Sequence, residues 1–288
     1  MGEQEGTMEI SYYPGCALHG SAREYDESTR AVAGLLGVEL RELPDWNCCG
    51  ASSAHASSEG LAFDLANRNL LIAREQGMDL VVPCAACFSR LKAALTEADS
   101  RNGSSANGSL RVLSLPDLFL SPALLDGLAA HEKRSLQGLK AVCYYGCLLV
   151  RPPKVTGAAH HEFPETMERL MGIIGVEALP WSHKTDCCGG SLALTRTDIV
   201  LNLTGRLLDE AQRAGAEAVV VACPLCQSNL DSRQADIAAG GGPRFDMPIF
   251  YFTELIGLSL NHRDALRWLR RHLVDPRGLL ASKGLSLR

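Results

Sequence analysis

The sequence predicts an α/β protein of two tandem, pseudo-symmetric units, each a small parallel sheet flanked by helices. Three observations support this fold class. A chain of 288 residues is long enough for two ordinary domains. Several motifs occur twice in the same order, which indicates an internal duplication. Within each copy, short apolar segments alternate with amphipathic ones, as strands and helices do in a parallel sheet covered on both faces.

The first copy reads as follows. "MEISYYP" is a predicted strand, and "EYDESTRAVAGLLG" is a predicted helix that ends at Gly37. A short extended piece contains Val38 and Leu40, and a second helix runs to Gly77. The apolar strand "DLVVP" then leads into a C-x-x-C motif and another helix.

The second copy repeats this order. "LKAVCYY" is the strand, "FPETMERLMGIIG" the helix ending at Gly175, and "DIVLNLTGRLLDEAQRAG" the helix running to Gly215. "AEAVVVA" leads into the second C-x-x-C. The polar stretch "SRNGSSANGS" between the copies predicts an exposed loop. We place the first domain at residues 1–120 and the second, with a C-terminal helical tail, at residues 121–288.

The tail "HRDALRWLRRHL" carries Leu266, Leu269 and Leu273 at helical spacing, and its other positions include four arginines, Arg263, Arg267, Arg270 and Arg271. One interpretation is a surface helix docked on its own core. The other is a basic face that binds an acidic partner.

Composition narrows the class of protein. Hydrophobic residues make up 46% and charged residues 21%, which is typical of a soluble globular chain. The net charge of −5 does not indicate nucleic-acid binding. The start "MGEQEGTMEI" lacks the apolar segment of a signal peptide, and no apolar run is long enough to span a bilayer. We therefore expect a cytoplasmic protein without a membrane span.

The eleven cysteines are the strongest functional signal. Their odd number and the absence of an export signal argue against a disulfide framework, so metal or redox chemistry is favoured. Ten of them form two sets, each ordered as one cysteine, an adjacent pair followed by glycine, and C-x-x-C. The sets are Cys16, Cys48, Cys49, Cys84 and Cys87, and Cys147, Cys187, Cys188, Cys223 and Cys226. The pair and the C-x-x-C are separated by 34 residues in both sets, whereas the first gap is 31 residues in one and 39 in the other.

Local geometry explains how five thiols could meet. The first cysteine and the C-x-x-C of each set follow predicted strands, where ligands gather in parallel sheets. Backbone N–H groups at a helix start stabilise thiolates. Adjacent side chains on a strand point to opposite faces, but a glycine after the pair permits a turn that brings both sulfurs to one centre.

Several ligand arrangements stay open on spacing alone. Structural zinc and an ordinary iron–sulfur cube each take four ligands, one fewer than each set offers. A larger or irregular iron–sulfur cluster could use the fifth thiolate. Four ligands and a free thiol are the alternative. A thioredoxin-like redox pair at Cys84 and Cys87 would leave the other three cysteines of the set unexplained.

Other polar residues near the motifs have both a structural and a functional interpretation. Cys143 is interpreted as a buried small hydrophobe rather than a ligand. Five histidines could donate a proton to a leaving thiolate or simply be solvated: His19, His55, His160, His161 and His183. Arg151 and Lys154 could bind an anionic substrate group or be ordinary surface charges. "HHEFPE" lacks the second histidine of a helical zinc motif.

The cysteine pattern resembles the cysteine-rich CCG domain. Two copies in a chain of this length, with "YYPGCALHGSAREYDESTRAV", "PDWNCCGASSAHA", "VVPCAACFSRLK", "CYYGCLLVRPP" and the tail, resemble the HdrB family of heterodisulfide reductase subunits. The resemblance covers nearly the whole chain. It implies that each CCG motif binds one noncubane [4Fe-4S] cluster through all five of its cysteines, so that the ten cysteines of the two sets would be the cluster ligands. Zinc in the first motif is an alternative that the family also implies.

The resemblance further implies a catalytic subunit that splits a thiol–thiol disulfide, CoM-S-S-CoB or a related one, by one-electron steps between the two clusters. A small ferredoxin-like subunit and a flavoprotein subunit of the same complex would be its partners. Residues "RPPKVTGAAHH" in the longer second gap would shape the substrate mouth. Two alternatives are an iron–sulfur electron-transfer subunit of another CCG oxidoreductase, similar to those of lactate or glycolate oxidation, and a zinc-binding structural subunit.

Overall fold

The computed structural model describes residues 8–51, 53–101 and 110–285 of the chain. It contains two four-stranded sheets in which every strand pair is parallel. The first sheet consists of β1 (Met8–Tyr12), β2 (Val38–Glu42), β3 (Leu80–Val82) and β4 (Val112–Ser114). The second consists of β5 (Lys140–Tyr144), β6 (Glu177–Ala178), β7 (Ala218–Val221) and β8 (Ile249–Tyr251).

The strand orders are β2-β1-β3-β4 and β6-β5-β7-β8, so the two sheets have the same topology. Met8 lies opposite Val38 in the first sheet, and Lys140 lies opposite Glu177 in the second. This confirms the predicted α/β class with two pseudo-symmetric parallel units. We call the two units the first half and the second half.

Helices cover the sheets and form the connections. The described helices are α1 (Gly15–His19), α2 (Arg23–Leu35), α3 (Ser53–Ser57), α4 (Glu59–Gln76), α5 (Ala85–Arg101), α6 (Leu115–Phe119), α7 (Pro122–Ala130), α8 (Pro153–Thr156), α9 (Thr166–Ile173), α10 (Thr197–Arg213), α11 (Pro224–Ala239), α12 (Phe252–Ser259), α13 (Ala265–Leu269) and α14 (Arg277–Ser282). A 3-10 turn occupies Gly190–Leu192.

Helix ends agree with the sequence signals. Ser58 caps the start of α4 by accepting a hydrogen bond from the Leu61 N–H, and Gly77 ends the helix with a φ of 69°. The loop expected at 100–109 was only partly placed correctly, because Ser100 and Arg101 belong to α5. Residues 102–109 lie outside the described residues. The first sheet ends at Ser114 and the second begins at Lys140, and the domain boundary after residue 120 stays a prediction.

The two halves share one continuous core. The ring of Tyr25 on α2 stacks on Tyr251 with the centroids 4.1 Å apart and the planes 5° from parallel. Ser28 and Thr253 join their hydroxyls across the same interface at 2.7 Å. All four side chains are fully buried, so water is excluded where the halves meet.

The C-terminal segment docks on this interface, as one of the two interpretations of the tail predicted. Trp268 and Leu269 are each 1% exposed. The expectation that Leu273 continues their apolar face is wrong: it is 73% exposed. The helix α13 ends at Leu269, and the Leu273 and Val274 N–H groups bind the Asp231 carboxylate instead of continuing a helix.

Candidate functional site

The cysteines of the first half gather beyond the carboxyl ends of its strands. Cys16 lies on α1 directly after β1, Cys84 follows β3, and Cys87 lies in the first turn of α5. The adjacent pair occupies the loop between β2 and α3. The Sγ atoms of Cys49 and Cys87 are 3.1 Å apart, and the Gly50 N–H donates to Cys48 Sγ at 3.5 Å.

The second half repeats these contacts. Cys188 Sγ and Cys226 Sγ are 3.6 Å apart, and the Gly189 N–H donates to Cys187 Sγ at 3.3 Å. Gly50 and Gly189 have φ values of 71° and 78°, the left-handed region that favours glycine. The predicted turn after each pair is therefore present, and it places a backbone donor on the first sulfur of the pair.

A buried tyrosine anchors the loop of each pair, a role that sequence reasoning missed. The Tyr13 hydroxyl donates to the carbonyl of Asn47, the residue before Cys48, at 2.8 Å. The Tyr144 hydroxyl donates to the carbonyl of Asp186, the residue before Cys187, at 2.7 Å. Each tyrosine lies three residues before the first cysteine of its set, so the repeated "YPGC" and "YYGC" stretches contained the signal.

A glycine before the first cysteine leaves room for a sulfur. A Cβ on Gly15 would lie 3.2 Å from Cys87 Sγ, and one on Gly146 would lie 2.8 Å from Cys226 Sγ. Both glycines also have positive φ, 69° and 65°. The backbone therefore packs directly against the C-x-x-C sulfur in each half.

The two cysteine sets meet at the interface between the halves. Cys84 and Cys223, the first cysteines of the two C-x-x-C motifs, lie close enough that each thiol shifts the pKa of the other. The Ala85 N–H at the start of α5 also lowers the pKa of Cys223. Beside this contact the Tyr25 hydroxyl donates to the Ala222 carbonyl at 3.2 Å. The duplicated motifs thus form one bipartite site.

Neighbouring thiols and N–H groups lower the pKa of three thiols in this site, while burial and neighbouring thiols raise the pKa of five others: Cys48, Cys84, Cys87, Cys147 and Cys226. Hydrogen bonds from Cys48 and Cys87 lower the pKa of the Cys49 thiol to about 3. A hydrogen bond from Cys147, with the Gly189 N–H, lowers the pKa of Cys187 to about 6. Hydrogen bonds from Cys226 and Cys84 lower the pKa of Cys223 well below its usual range.

Exposure differs within each set. Cys16, Cys48 and Cys187 are exposed and Cys147 is half-buried, whereas the other six are buried. Each set therefore has one open side and one closed side. Within the described ranges, no three His, Cys, Asp or Glu side chains are arranged around a single metal ion.

The donor set fits an iron–sulfur group. The side chains that converge are thiols, which are the ligands such clusters take. The glycine at each first cysteine keeps the space beside the C-x-x-C sulfur free of a side chain. These ten cysteines are the residues that could hold such groups.

A cavity of about 370 Å³ lies between the halves. The first half contributes residues of α5 and the β4–α6 turn, and the second contributes residues 145–166. The residues described as lining it include Phe88, Tyr145, Val150 and His160. The region 151–161, predicted to shape a substrate mouth, thus forms part of a cavity wall.

The remaining candidates take other positions. Cys143 is fully buried on β5, and burial raises the pKa of its thiol well above the usual range, as expected of a small hydrophobe. Arg151 is bonded to Glu162 at 2.5 Å and Thr185 at 2.8 Å, while Lys154 is exposed on α8.

The five candidate histidines make local contacts. His19 pairs with Glu42 at 3.1 Å, and His161 approaches Glu162 at 3.6 Å. His183 contacts Ser182 and Arg206, His55 is exposed, and His160 lines the cavity. In the described part of the chain, no hydrogen bond joins any of these five to a cysteine.

Comparison with known proteins gives the family. The cysteine-rich CCG domain model matches residues 10–92 and 141–231, one match in each half. The chain is 30% identical to the 8-methylmenaquinol:fumarate reductase membrane anchor subunit of Wolinella succinogenes, over 93% of this chain and 97% of that protein.

Two further relatives carry a heterodisulfide reductase name. The HdrB subunit of a ferredoxin/F420H2-dependent CoB-CoM heterodisulfide reductase of Methanosarcina acetivorans is 23% identical over 87% of this chain and 89% of that protein. A heterodisulfide reductase HdrB-like protein of Archaeoglobus profundus is 23% identical over 88% and 91%.

A solved structure shares the fold. A hypothetical protein from Helicobacter pylori superposes with a TM-score of 0.67 at 11% identity, covering 93% of this chain and 52% of that one. In the part of the chain that the structure describes, no helix is both long and apolar enough to cross a membrane.

Proposed function

This chain belongs to the cysteine-rich CCG domain family as a heterodisulfide reductase-type iron–sulfur subunit, and from that premise we propose that it is the catalytic subunit of a disulfide reductase. The observation that carries the proposal is that the two motifs meet at the interface between the halves, where the Cys84 and Cys223 thiols shift each other's pKa. A disulfide has two sulfurs to reduce, and a bipartite site offers one centre for each.

We assign the cofactor ligands by motif. The five cysteines of each set would hold one noncubane [4Fe-4S] cluster, with zinc in the first set as the alternative. When bound, such clusters deliver electrons one at a time, and the overall reaction takes up two electrons and two protons to give two thiols. A disulfide can approach from the open side, where Cys16, Cys48 and Cys187 are exposed.

Buried tyrosines around the cysteines would fix their positions and exclude water from them. Tyr13 and Tyr144 would fix the loops of the two pairs through hydrogen bonds to the Asn47 and Asp186 carbonyls. The stacked Tyr25 and Tyr251 close the inner side against water. Low solvent access strengthens every electrostatic interaction at the site. It would therefore tune the reduction potential of a bound iron–sulfur group.

The proposal includes partners and location. Electrons would arrive from a small ferredoxin-like subunit, with a flavoprotein subunit upstream, in one complex. A cytoplasmic location stays a prediction. The disulfide itself, CoM-S-S-CoB or a related one, is to be found by screening.

A second function has its own support. The Wolinella relative is named as part of a fumarate reductase. In that case this chain would relay electrons in another CCG oxidoreductase and bind no disulfide. Turnover of soluble disulfides with a reduced dye, using anaerobically purified protein, separates the two: reduction supports the catalytic role, and a loaded protein that reduces none of a broad panel supports the relay.

Replacing Cys188 by Ala tests the ligand assignment. We expect the variant to lose iron from the second set and to lose disulfide reduction by at least about 100-fold. Removing a residue that only hydrogen-bonds a metal ligand already lowers metal affinity or activity about 10–100-fold, and Cys188 is assigned as a ligand itself. Cys143→Ala is the matched control, since Cys143 is equally buried but belongs to neither set. Normal iron content and turnover in Cys188→Ala would contradict the five-ligand assignment. Zinc instead of iron in the purified protein would support the zinc-binding structural alternative.

A further inference from the structure

Three buried side chains of the second half form a closed set of contacts. The Lys184 ammonium forms an ion pair with the Glu168 carboxylate at 2.6 Å and donates to the Pro164 carbonyl at 2.9 Å. The Tyr145 hydroxyl donates to the other Glu168 oxygen at 2.5 Å. The backbone closes the set, because the Tyr145 N–H donates to the Lys184 carbonyl at 2.8 Å. We call Tyr145, Glu168 and Lys184 the clamp.

The clamp joins the two segments that carry the first and second cysteines of its set. Tyr145 is two residues before Cys147, and Lys184 is three residues before Cys187. The Lys184 carbonyl also accepts from the Gly146 N–H at 3.1 Å, so it binds two successive N–H groups of the turn that leads into Cys147. The clamp therefore fixes the spacing between the backbone segments that carry these two thiols.

Burial makes the clamp rigid. Tyr145 and Lys184 are 2% and 7% exposed, and the Glu168 side chain is 17% exposed. Separating a buried ammonium from its carboxylate leaves an uncompensated charge out of water, which is strongly unfavourable. The Lys184 side chain therefore holds the segment before Cys187 in one position.

The corresponding positions of the first half carry different residues. Pro14 stands where the second half has Tyr145, and a proline has neither an N–H nor a hydroxyl to donate. Asp45 stands where the second half has Lys184. Its side chain is 88% exposed and pairs with Arg68. The duplicated halves therefore differ at two of the three clamp positions.

The first half anchors its cysteine pair by a neutral side chain instead. Asn69 of α4 is 0% exposed and exchanges two hydrogen bonds of 3.0 Å with the backbone of Asn47, the residue before Cys48. The first pair is thus tied to a helix by an amide, and the second pair is tied to the turn of its first cysteine by an ion pair.

We propose that the clamp positions Cys147 relative to Cys187, so that the second set holds its metal group tightly only while the buried ion pair is intact. This rests on the cofactor assignment of the proposed function. Lys184 and Glu168 are positioning residues, because they act through the backbone of the segments that carry the ligands. Ligands that are already in place lose less conformational entropy when the group binds, so loosening them should speed its release.

A chelator challenge of the loaded protein tests the clamp. Loss of each iron–sulfur group is followed separately by electron paramagnetic resonance after a chelator is added under anaerobic conditions. Lys184→Met removes the ammonium and keeps the length of the side chain. It should speed release from the second set at least about tenfold, as loss of an outer partner does at other metal sites. Release from the first set should be unchanged.

Asn69→Leu is the matched variant, because it removes the buried anchor of the other pair. It should speed release from the first set and leave the second set unchanged. His272→Gln controls for stability, since it also breaks a buried ion pair, the one with Glu254. It should change neither rate.

Hydrogen exchange of the full-length protein, followed by mass spectrometry, gives a second readout that does not depend on iron. The Tyr145 and Gly146 N–H groups should exchange at least about tenfold faster in Lys184→Met than in the natural sequence. The Asn47 N–H of the first half should keep its rate. Tyr145→Phe removes only one hydroxyl from the clamp, so it keeps the test available if Lys184→Met does not fold. It should speed the exchange of the Gly146 N–H by a smaller factor.

The outcomes separate the two proposals. If Lys184→Met speeds release from both sets equally, or leaves the second set unchanged, the clamp inference is overturned, and disulfide reduction by the natural sequence keeps the proposed function standing. If release is selective but no disulfide is reduced, the proposed catalytic role falls and the clamp stands. If the second set holds no iron, the cofactor assignment falls and hydrogen exchange decides the clamp.

Discussion

Glycine precedes the first cysteine of each set because a side chain there would meet a sulfur. At Gly146 a Cβ would lie 2.8 Å from Cys226 Sγ, closer than real Cβ contacts permit. Cys226 Sγ also lies 3.6 Å from Cys188 Sγ, so moving it away from position 146 would disturb the set. The repeated glycine therefore belongs to the site as much as the cysteines do.

Replacing Gly146 by Ala should disturb the second set. The positive φ alone costs about 1–2 kcal/mol for a residue with a Cβ. The collision with Cys226 should in addition lower the iron content of the second set by at least about half. Iron analysis and the melting temperature measure the two effects separately.

Gly77→Ala is the matched control. Gly77 also has a positive φ, 69°, but nothing lies within 4 Å of its Cβ position. This variant should lose about the same stability from backbone strain and retain full iron. Equal iron in both variants would show that the approach of Gly146 to the sulfur has no role in holding the cluster.

Sequence reasoning at the scale of single residues grouped the ten cysteines correctly into halves, because spacing and repetition are visible in the chain. It did not find the roles of Tyr13 and Tyr144, since a tyrosine before a cysteine is equally compatible with a simple core position. It also could not find the contact of Cys84 with Cys223, which depends on how the halves pack.

The C-terminal segment binds the interface through a buried ion pair. His272 Nε2 lies 2.9 Å from Glu254 Oε1, and both side chains are 0% exposed. Glu254 also accepts from the Tyr251 N–H at the start of α12. Farther out, Arg267 and Arg271 each contact Glu27 of α2 at 2.9 Å. The segment therefore links the second half to the first.

This ion pair predicts a loss of stability at high pH. Burial alone would lower the pKa of His272, but the charge and hydrogen bond of Glu254, with Asp231 and Glu24, raise it to about 9. A folded-state pKa above the unfolded value of 6.5 adds stability that is complete below pH 6.5 and is lost as pH rises through 9. The shift corresponds to roughly 3 kcal/mol.

The measurement is the free energy of urea unfolding of the natural sequence and of His272→Gln between about pH 6 and pH 10. The natural sequence should be more stable at the lower pH, and the difference should shrink by roughly 3 kcal/mol at the higher one. His131→Gln, at an exposed position, is the control and should show no such trend. A difference that stays constant with pH would exclude protonated His272 as the source of stability.

Predictions of helices and strands succeeded where the hydrophobic periodicity and the residues that end an element agreed. Strands β1, β3, β5 and β7 were visible as apolar segments, and α4 ends at Gly77 as predicted. The tail was harder, because three leucines at helical spacing suggested a helix through Leu273. The carboxylate of Asp231, distant in the chain, accepts hydrogen bonds from the N–H groups of Leu273 and Val274, so the helix does not continue through Leu273. Such a distant partner leaves no local signal.

At the scale of the whole molecule, duplication followed by packing of the halves turns two motifs into one site. The halves pack through buried side chains that include Tyr25 and Tyr251, and the Cys84 and Cys223 thiols of their C-x-x-C motifs shift each other's pKa. The interaction with Cys84 contributes to the lowered pKa of Cys223. Replacing a cysteine in one half should therefore change the electrostatic environment of the cysteine sulfurs in the other half.

Cys84→Ser tests this coupling. If each set holds a cluster as proposed, we expect Cys84→Ser to shift the reduction potentials of both, each by about 60 mV or more, a tenfold change in a one-electron equilibrium. The matched variant Cys48→Ser changes a cysteine of the same set that lies exposed at the surface. It should shift the potential of the first cluster and leave that of the second within error.

Potentials followed by electron paramagnetic resonance during a redox titration resolve the two clusters, and iron analysis confirms that both variants are loaded. If Cys84→Ser and Cys48→Ser affect the second cluster equally, the sulfur contact between the halves does not couple them. The duplicated fold would then hold two independent centres. In that case the two centres would be connected only by the bound disulfide substrate, whose two sulfurs must both be reduced, and not by the protein.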